Sequence, residues 1–158
     1  MASDNTHQPF IERVIAIALE AEAEGNLPVG ALITLEDKII AEGPSQLLKP
    51  HYWPGGHAEI VAMRRVPATL WAQAREMTLY STLEPCLMCI SSALLHGIGQ
   101  VVYAATDPEG GGGYLLNNLP SFYDERAIPR LVGPLSEEKA RPLYERLRTA
   151  FVELPCAN

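Results

Sequence analysis

No apolar run in the 158 residues is long enough to cross a bilayer, which excludes a helical membrane span. Residues 1–8 have neither the basic start nor the apolar stretch of a secretory signal. Cysteine is scarce: Cys86, Cys89 and Cys156 are three, an odd count that makes no disulfide framework. These absences predict a cytoplasmic protein with reduced thiols and no membrane partner, in which a C-x-x-C pair serves a metal. Long basic runs are missing too. Twelve Lys and Arg stand against 19 Asp and Glu, a formal net charge of −7, and apart from Arg64-Arg65 the basic residues are scattered. Nucleic-acid binding rests on Lys and Arg against phosphates, so this balance disfavours a polynucleotide. There is no internal repeat and no linker. The one low-complexity stretch, four glycines at 110–113, reads as a flexible turn after a strand.

What is present suits one globular domain over 1–158, with 1–8 as a flexible tail: 47% of residues are apolar and 20% charged. Ile11, Val14, Ile15, Ala18 and Leu19 form a helical stripe, closed by Gly25-Asn26. Residues 29–35 read as a strand, 36–38 as a tight turn, and Ile39-Ile40 as the start of the return strand. Residues 43–56 form a loop containing Pro44, Pro50 and Pro54. A helix at 57–66, a strand at 77–83, a helix at 85–95 and strands at 100–105 and 130–132 follow. Ser136 is placed to cap a last helix with the stripe Ala140, Leu143, Leu147, Ala150 and Leu154; Pro142 predicts a kink there or a start near Arg141. Helices alternating with strands predict a layered α/β domain with a mixed sheet.

Two motifs carry chemistry: His57-Ala58-Glu59 and Pro85-Cys86-Leu87-Met88-Cys89, each opening a predicted helix. Cys86 and Cys89 are spaced i, i+3, on one face of a first turn whose dipole favours thiolates. Two thiolates make half a tetrahedral zinc site, and His57 is a fitting third ligand. His57 and Glu59 would point apart on a regular helix, so they converge only if the motif straddles a helix start; Gly55-Gly56 suits that bend. Three protein ligands leave a position for water, whose pKa zinc lowers from about 15.7 to roughly 7. Glu59 then stands to move that water's proton.

H-x-E with P-C-x-x-C is the known signature of zinc nucleobase deaminases. Residues 57–60 and 79–89, with Pro28-Val29-Gly30-Ala31, resemble the cytidine deaminase-like superfamily, especially its branch of bacterial tRNA-specific adenosine deaminases and guanine deaminases. The resemblance extends in element order from about Ile11 to Leu154. It implies a three-layer α/β/α sandwich with a mixed sheet of about five strands. It implies one zinc ion per chain on His57, Cys86 and Cys89, proton transfer by Glu59, and backbone N–H groups of Ala58 and Cys86 facing the attacked ring. A homodimer is also implied. In the tRNA enzymes an Asn precedes the H-A-E motif and contacts the base; here Ser45 or Gln46 stands near that place. Trp53-Pro54 replaces their Asp-Pro, and their basic C-terminal tail has no counterpart. Guanine deaminases read the ring with an acidic C-terminal residue, a part for which Asp124 or Glu125 is the candidate.

These readings predict hydrolytic deamination of a free amino-substituted nucleobase, nucleoside or related heterocycle of guanine, adenine or cytosine type, releasing ammonia. The alternative is a tRNA adenosine deaminase forming inosine. A non-catalytic zinc module would instead need a fourth protein ligand. Of the remaining candidates, Glu84 is expected to order the helix start, and His51 and His96 to be surface or structural. Tyr52, Trp53, Phe122 and Tyr123 either stack on a ring or pack, and Cys156 is a bystander.

Overall fold

The computed structural model describes residues 4–154, in which α1 (Asp4–Ala23) leads into the hairpin β1 (Gly30–Leu35) and β2 (Lys38–Pro44). Then come α2 (Ala58–Arg65), β3 (Thr78–Leu83), α3 (Leu87–His96), β4 (Gln100–Ala105), β5 (Arg130–Val132) and α4 (Glu137–Phe151). Short 3₁₀ segments lie at Ala68–Glu76, Gly113–Asn117 and Ser121–Tyr123. The sheet order is β2-β1-β3-β4-β5, with β1 antiparallel to β2 and β3, and β3, β4 and β5 parallel. The mixed five-stranded sheet agrees with the expectation.

Strand alternation divides the core into two layers. Ala31, Ile33, Leu79 and Val101 face Ala62, Met63, Ile90 and Leu94 of α2 and α3. Leu32, Tyr80 and Val102 face Ile11, Val14 and Ile17 of α1 and Ala140 of α4. Helices therefore cover both faces, giving three layers. No described helix is long and apolar enough to cross a membrane.

Several local expectations need correction. The buried face of α1 runs through Ile11, Val14, Ile17, Ala18 and Ala21, while Leu19 is 48% exposed, because each helical step turns a residue about 100° from its neighbour. The helix starts at Asp4, inside the segment expected as a tail. The hairpin turn is two residues, Glu36 and Asp37, with φ of 50° and 57°, the hand that matches strand twist. Strand β2 continues to Pro44, so the following loop is shorter than expected. Helix α4 runs unbroken from Glu137 through Pro142, held to the sheet by buried Ala140, Leu143 and Tyr144. Ser136 occupies its N-cap without a side-chain bond, and Glu137 Oε2 accepts the Thr106 N–H at 3.0 Å instead.

The loop from Ser45 to Gly56 is tied down by its backbone. Asn26 Oδ1 accepts the N–H groups of Leu48 and Lys49, both at 3.0 Å. Gln46 N–H donates to Gly56 O and Trp53 N–H to Leu47 O, both at 2.8 Å. This closure delivers His57 to the start of α2. That helix also presses directly on β2: a Cβ at Gly43 would lie 2.1 Å from Ala58 O and 2.5 Å from Ala62 N. Both neighbours are backbone and cannot swing aside. Gly43→Ala is therefore expected to destabilise the fold by about 1–3 kcal/mol, the usual cost of overpacking. Urea unfolding reads this as a lower midpoint; an unchanged midpoint would show that α2 can slide on the sheet.

Candidate active site

His57 and Cys86 each stand one residue before a helix, as the N-caps of α2 and α3; the helices begin one and two residues later than expected, and the His57–Glu59 motif straddles a helix start as its convergence required. Both have extended backbone (φ −65°, ψ 143° and φ −67°, ψ 176°), and neither side chain caps its own helix. The extended step turns each side chain off the helical rotation. His57 thereby comes within electrostatic reach of Glu59 two residues on, and Cys86 Sγ within 3.7 Å of Cys89 Sγ three residues on. The two helix starts sit side by side because α2 and α3 pack together on one face of the sheet.

Cys86 Sγ lies 3.5 Å from His57 Nδ1 and 3.7 Å from Cys89 Sγ, and Cys89 Sγ lies 3.6 Å from His57 Nδ1. Tetrahedral zinc with ordinary bond lengths needs about 3.8 Å between two sulfurs and about 3.6 Å between sulfur and nitrogen. The triangle fits the ion without rearrangement, so His57, Cys86 and Cys89 could hold one zinc. Among the described residues no fourth His, Cys, Asp or Glu joins the group. Bound there, zinc supplies a Lewis acid and a means to acidify water.

Without metal the three ligands share protons unequally. The hydrogen bond from Cys89, helped by His57, holds the Cys86 thiol down at about 4. Cys89 is pushed well up because its thiol donates to Cys86 and is buried. The Cys86 thiolate in turn raises His57. Glu59 is 4% exposed, and burial holds its carboxyl above the usual range. Its two oxygens have different neighbours: Ser81 Oγ donates to Oε1 at 2.9 Å, and Oε2 lies 3.3 Å from Cys89 Sγ. Ser81 is fully buried on β3 and fixes the carboxylate plane.

A cavity of about 350 Å³ opens on this cluster. It lies beyond the carboxyl ends of the parallel strands β3 and β4, the usual ligand position in an α/β sheet. Its walls are apolar: Leu27, Val29, Leu47, Leu83, Leu147 and Phe151. Ser45 and Ala58 line it with His57, Glu59 and Cys86. Gln46, Trp53 and Asp124, expected as substrate contacts, do not line it. Gln46 serves the loop closure, Trp53 lies under the Arg64 guanidinium at 4.9 Å, and Asp124 is exposed.

Four cavity groups were not anticipated from the sequence: Asp107, Glu109, and Arg148 and Phe151 of α4. Arg148 pairs with Glu109 at 2.6 Å. Glu84 lines the cavity but orders the glycine run rather than the helix start, accepting from Gly113 N at 3.3 Å and Asp107 N at 3.4 Å. Ser81 carried a readable signal, since it is polar at a strand position whose alternate neighbour, Leu79, is core. The α4 residues carried none, because helical periodicity does not say which loop a helix end will meet. His51 and His96 are exposed, Phe122 is 74% exposed, and Tyr123 packs on the core. Cys156 lies outside the described residues.

A His/Cys/Cys triangle with a buried carboxylate, set at the strand ends of an α/β/α sandwich, is the arrangement known from zinc-dependent hydrolytic deaminases. Residues 4–105 match the family described as the cytidine and deoxycytidylate deaminase zinc-binding region. The tRNA-specific adenosine deaminase of Bacillus subtilis (strain 168) is 33% identical over 131 residues, 82% of this chain and 81% of that protein. The guanine deaminase of the same organism is 31% identical over 143 residues, 88% of this chain and 85% of that protein. A solved structure from studies of A-to-I editing by tRNA:A34 deaminases superposes with a TM-score of 0.72 at 26% identity, covering 86% of this chain and 99% of that one. The chain belongs to the cytidine and deoxycytidylate deaminase zinc-binding family.

Zinc must displace the protons that the raised pKa values keep on Cys89 and His57. The sign follows: protons compete better as pH falls, so affinity weakens. Chelator competition between about pH 8 and pH 6 should show the dissociation constant rising about tenfold per pH unit for each proton displaced. A constant that stays flat across this window would mean that the metal-free ligands are already deprotonated.

Proposed function

We propose that the protein hydrolytically deaminates a free amino-substituted nucleobase, its nucleoside or a related heterocycle, releasing ammonia. The observation that carries this reading is the cavity. At about 350 Å³ it stands at the small end of ligand pockets, which run from roughly 300 to 1,000 Å³. Its apolar walls suit a flat ring. Its charged rim is acidic (Glu84, Asp107 and Glu109), and its one cation, Arg148, is taken up by Glu109. A rim of that sign repels phosphates and favours an uncharged substrate.

In this reading His57, Cys86 and Cys89 hold zinc and Glu59 is the general acid and base. Ser81 keeps Glu59 Oε1 in place, so Oε2 is the oxygen that carries the proton. Glu59 takes a proton from the attacking water and gives it to the ring nitrogen, then takes the proton of the newly added hydroxyl and gives it to the amino group, which departs as ammonia while the carbonyl forms. The raised pKa of its buried carboxyl suits a group that must both accept and release a proton near neutrality. Ser45 and Ala58 are the polar and backbone contacts for the ring, with the walls excluding bulk water. Two metal-binding thiols free of disulfide suit the reducing cytoplasm. A homodimer is consistent with the exposed apolar residues of α3: Leu87 at 47%, Met88 at 39% and Leu95 at 53%.

The second reading, deamination of adenosine in tRNA, is favoured by the likeness to tRNA-specific adenosine deaminases. Ammonia release from the zinc-loaded protein separates the two. The panel is guanine, adenine, cytosine, their nucleosides, aminated triazines and pterins, and an unmodified tRNA transcript. Release from a small heterocycle is expected, falling by about two to four orders of magnitude in Glu59→Gln while zinc stays bound. Release from the transcript alone would establish the second reading, and full activity of Glu59→Gln would remove Glu59 from the chemistry.

A further inference from the structure

The run of four glycines at 110–113 is not slack chain. Positive φ among the described glycines occurs at Gly25, Gly97 and Gly133, so none of the four uses the left-handed region that glycine enters without steric cost. Their backbone is accessible to any residue, and what requires glycine is space. A Cβ at Gly112 would lie 2.7 Å from the carbonyl carbon of Cys86, 2.8 Å from Leu87 N and 2.9 Å from Cys86 O. At Gly111 it would lie 2.6 Å from the Glu84 carboxylate and 2.7 Å from Asp107 O. At Gly113 it would meet Glu84 Oε1 at 2.9 Å. The contacts at Gly112 are all backbone and cannot yield by rotating a side chain.

Hydrogen bonds draw the run onto the same segment. Gly112 N–H donates to Pro85 O at 2.8 Å, and Gly111 pairs with Cys86 in an isolated antiparallel bridge. Glu84 closes the arrangement by accepting from Gly113 N and Asp107 N. Cys86 depends on such support more than Cys89 does. Cys89 is fully buried within α3, whereas Cys86 stands outside the helix with extended backbone and no capping bond of its own.

We propose that Gly112, with Gly111 and Gly113 beside it, is a positioning element for the zinc site: its backbone lies against Cys86 and sets the place of that ligand relative to His57 and Cys89. Four glycines raise the entropy cost of ordering the loop relative to alanine. That cost is offset by an approach no side chain permits. Metal distances tolerate errors of only about 0.2 Å, so a displaced Cys86 backbone weakens the site.

The test compares Gly112→Ala with Gly110→Ala. Both remove one glycine from the same loop. The Cβ at Gly110 would meet only the movable carboxylate end of Asp107, at 2.7 Å, rather than backbone. Zinc affinity by chelator competition should fall at least about tenfold in Gly112→Ala, the loss typical when support for a metal ligand is removed. It should stay within about twofold in Gly110→Ala. Co²⁺ substituted for zinc should show a weakened visible band in Gly112→Ala, reporting a distorted tetrahedron. Thermal unfolding of the metal-free variants separates loss of the fold from loss of the site. A Gly112→Ala protein that binds zinc like the parent overturns the proposal, as does an equal loss in both variants. If Gly112→Ala does not fold, hydrogen exchange on the parent decides. A protected Gly112 amide in the metal-free protein supports the clamp, and exchange at the rate of a free peptide overturns it.

Discussion

Bringing two sulfurs and an imidazole nitrogen to within 3.5, 3.6 and 3.7 Å of one another is the constraint on which the rest of the site depends. Side chains this close without a metal must share protons, and they do so unevenly, with Cys86 a thiolate and Cys89 a thiol. The polypeptide meets the geometric demand with two helix starts. Each presents an extended N-cap residue as one ligand, and α3 adds the third from its first turn. The packing of α2 and α3 on one sheet face is therefore part of the metal chemistry. The close fit of α2 on Gly43 and of the glycine run on Cys86 holds each half of the triangle.

Glu59 shows how burial and bonding divide the labour. Removing a carboxylate from water disfavours its charge, and burial is the largest influence on it. The hydroxyl of Ser81 acts in the opposite sense while fixing one oxygen. The outcome is a carboxyl that is held still and protonated more readily than one on the surface. Apolar walls supplied by α4 and by the loops after α1 and β2 keep the surroundings dry, which strengthens every charge interaction inside.

The acidic rim agrees with the overall charge of −7 but is a more specific property. Net charge says only that phosphates are poorly served on average. The rim says it of the cavity mouth, where Glu84, Asp107 and Glu109 gather and Arg148 is engaged. These residues are spread between positions 84 and 148 of the chain.

Much of this was legible in the sequence. His57, Glu59, Cys86 and Cys89 were readable because a metal needs particular donor types at short spacings, and such spacings are local. Strand alternation and helical stripes are local too, and they yielded the mixed sheet and its helices. Leu19 was misplaced because periodicity finds a stripe but not its exact centre, which packing on the sheet decides. Trp53 and Asp124 do not line the cavity because loop direction depends on distant partners, such as the Arg64 guanidinium over the indole. The glycine run was taken for slack because its tight contacts with Glu84 and Cys86 arise only once β3 and β4 lie side by side. The sequence by itself determined the chemistry of the donors and the class of fold, both encoded in neighbouring residues. Only the tertiary structure decided the cavity walls, the sign of its rim and the backbone support of Cys86, because these join elements that meet in space and not along the chain.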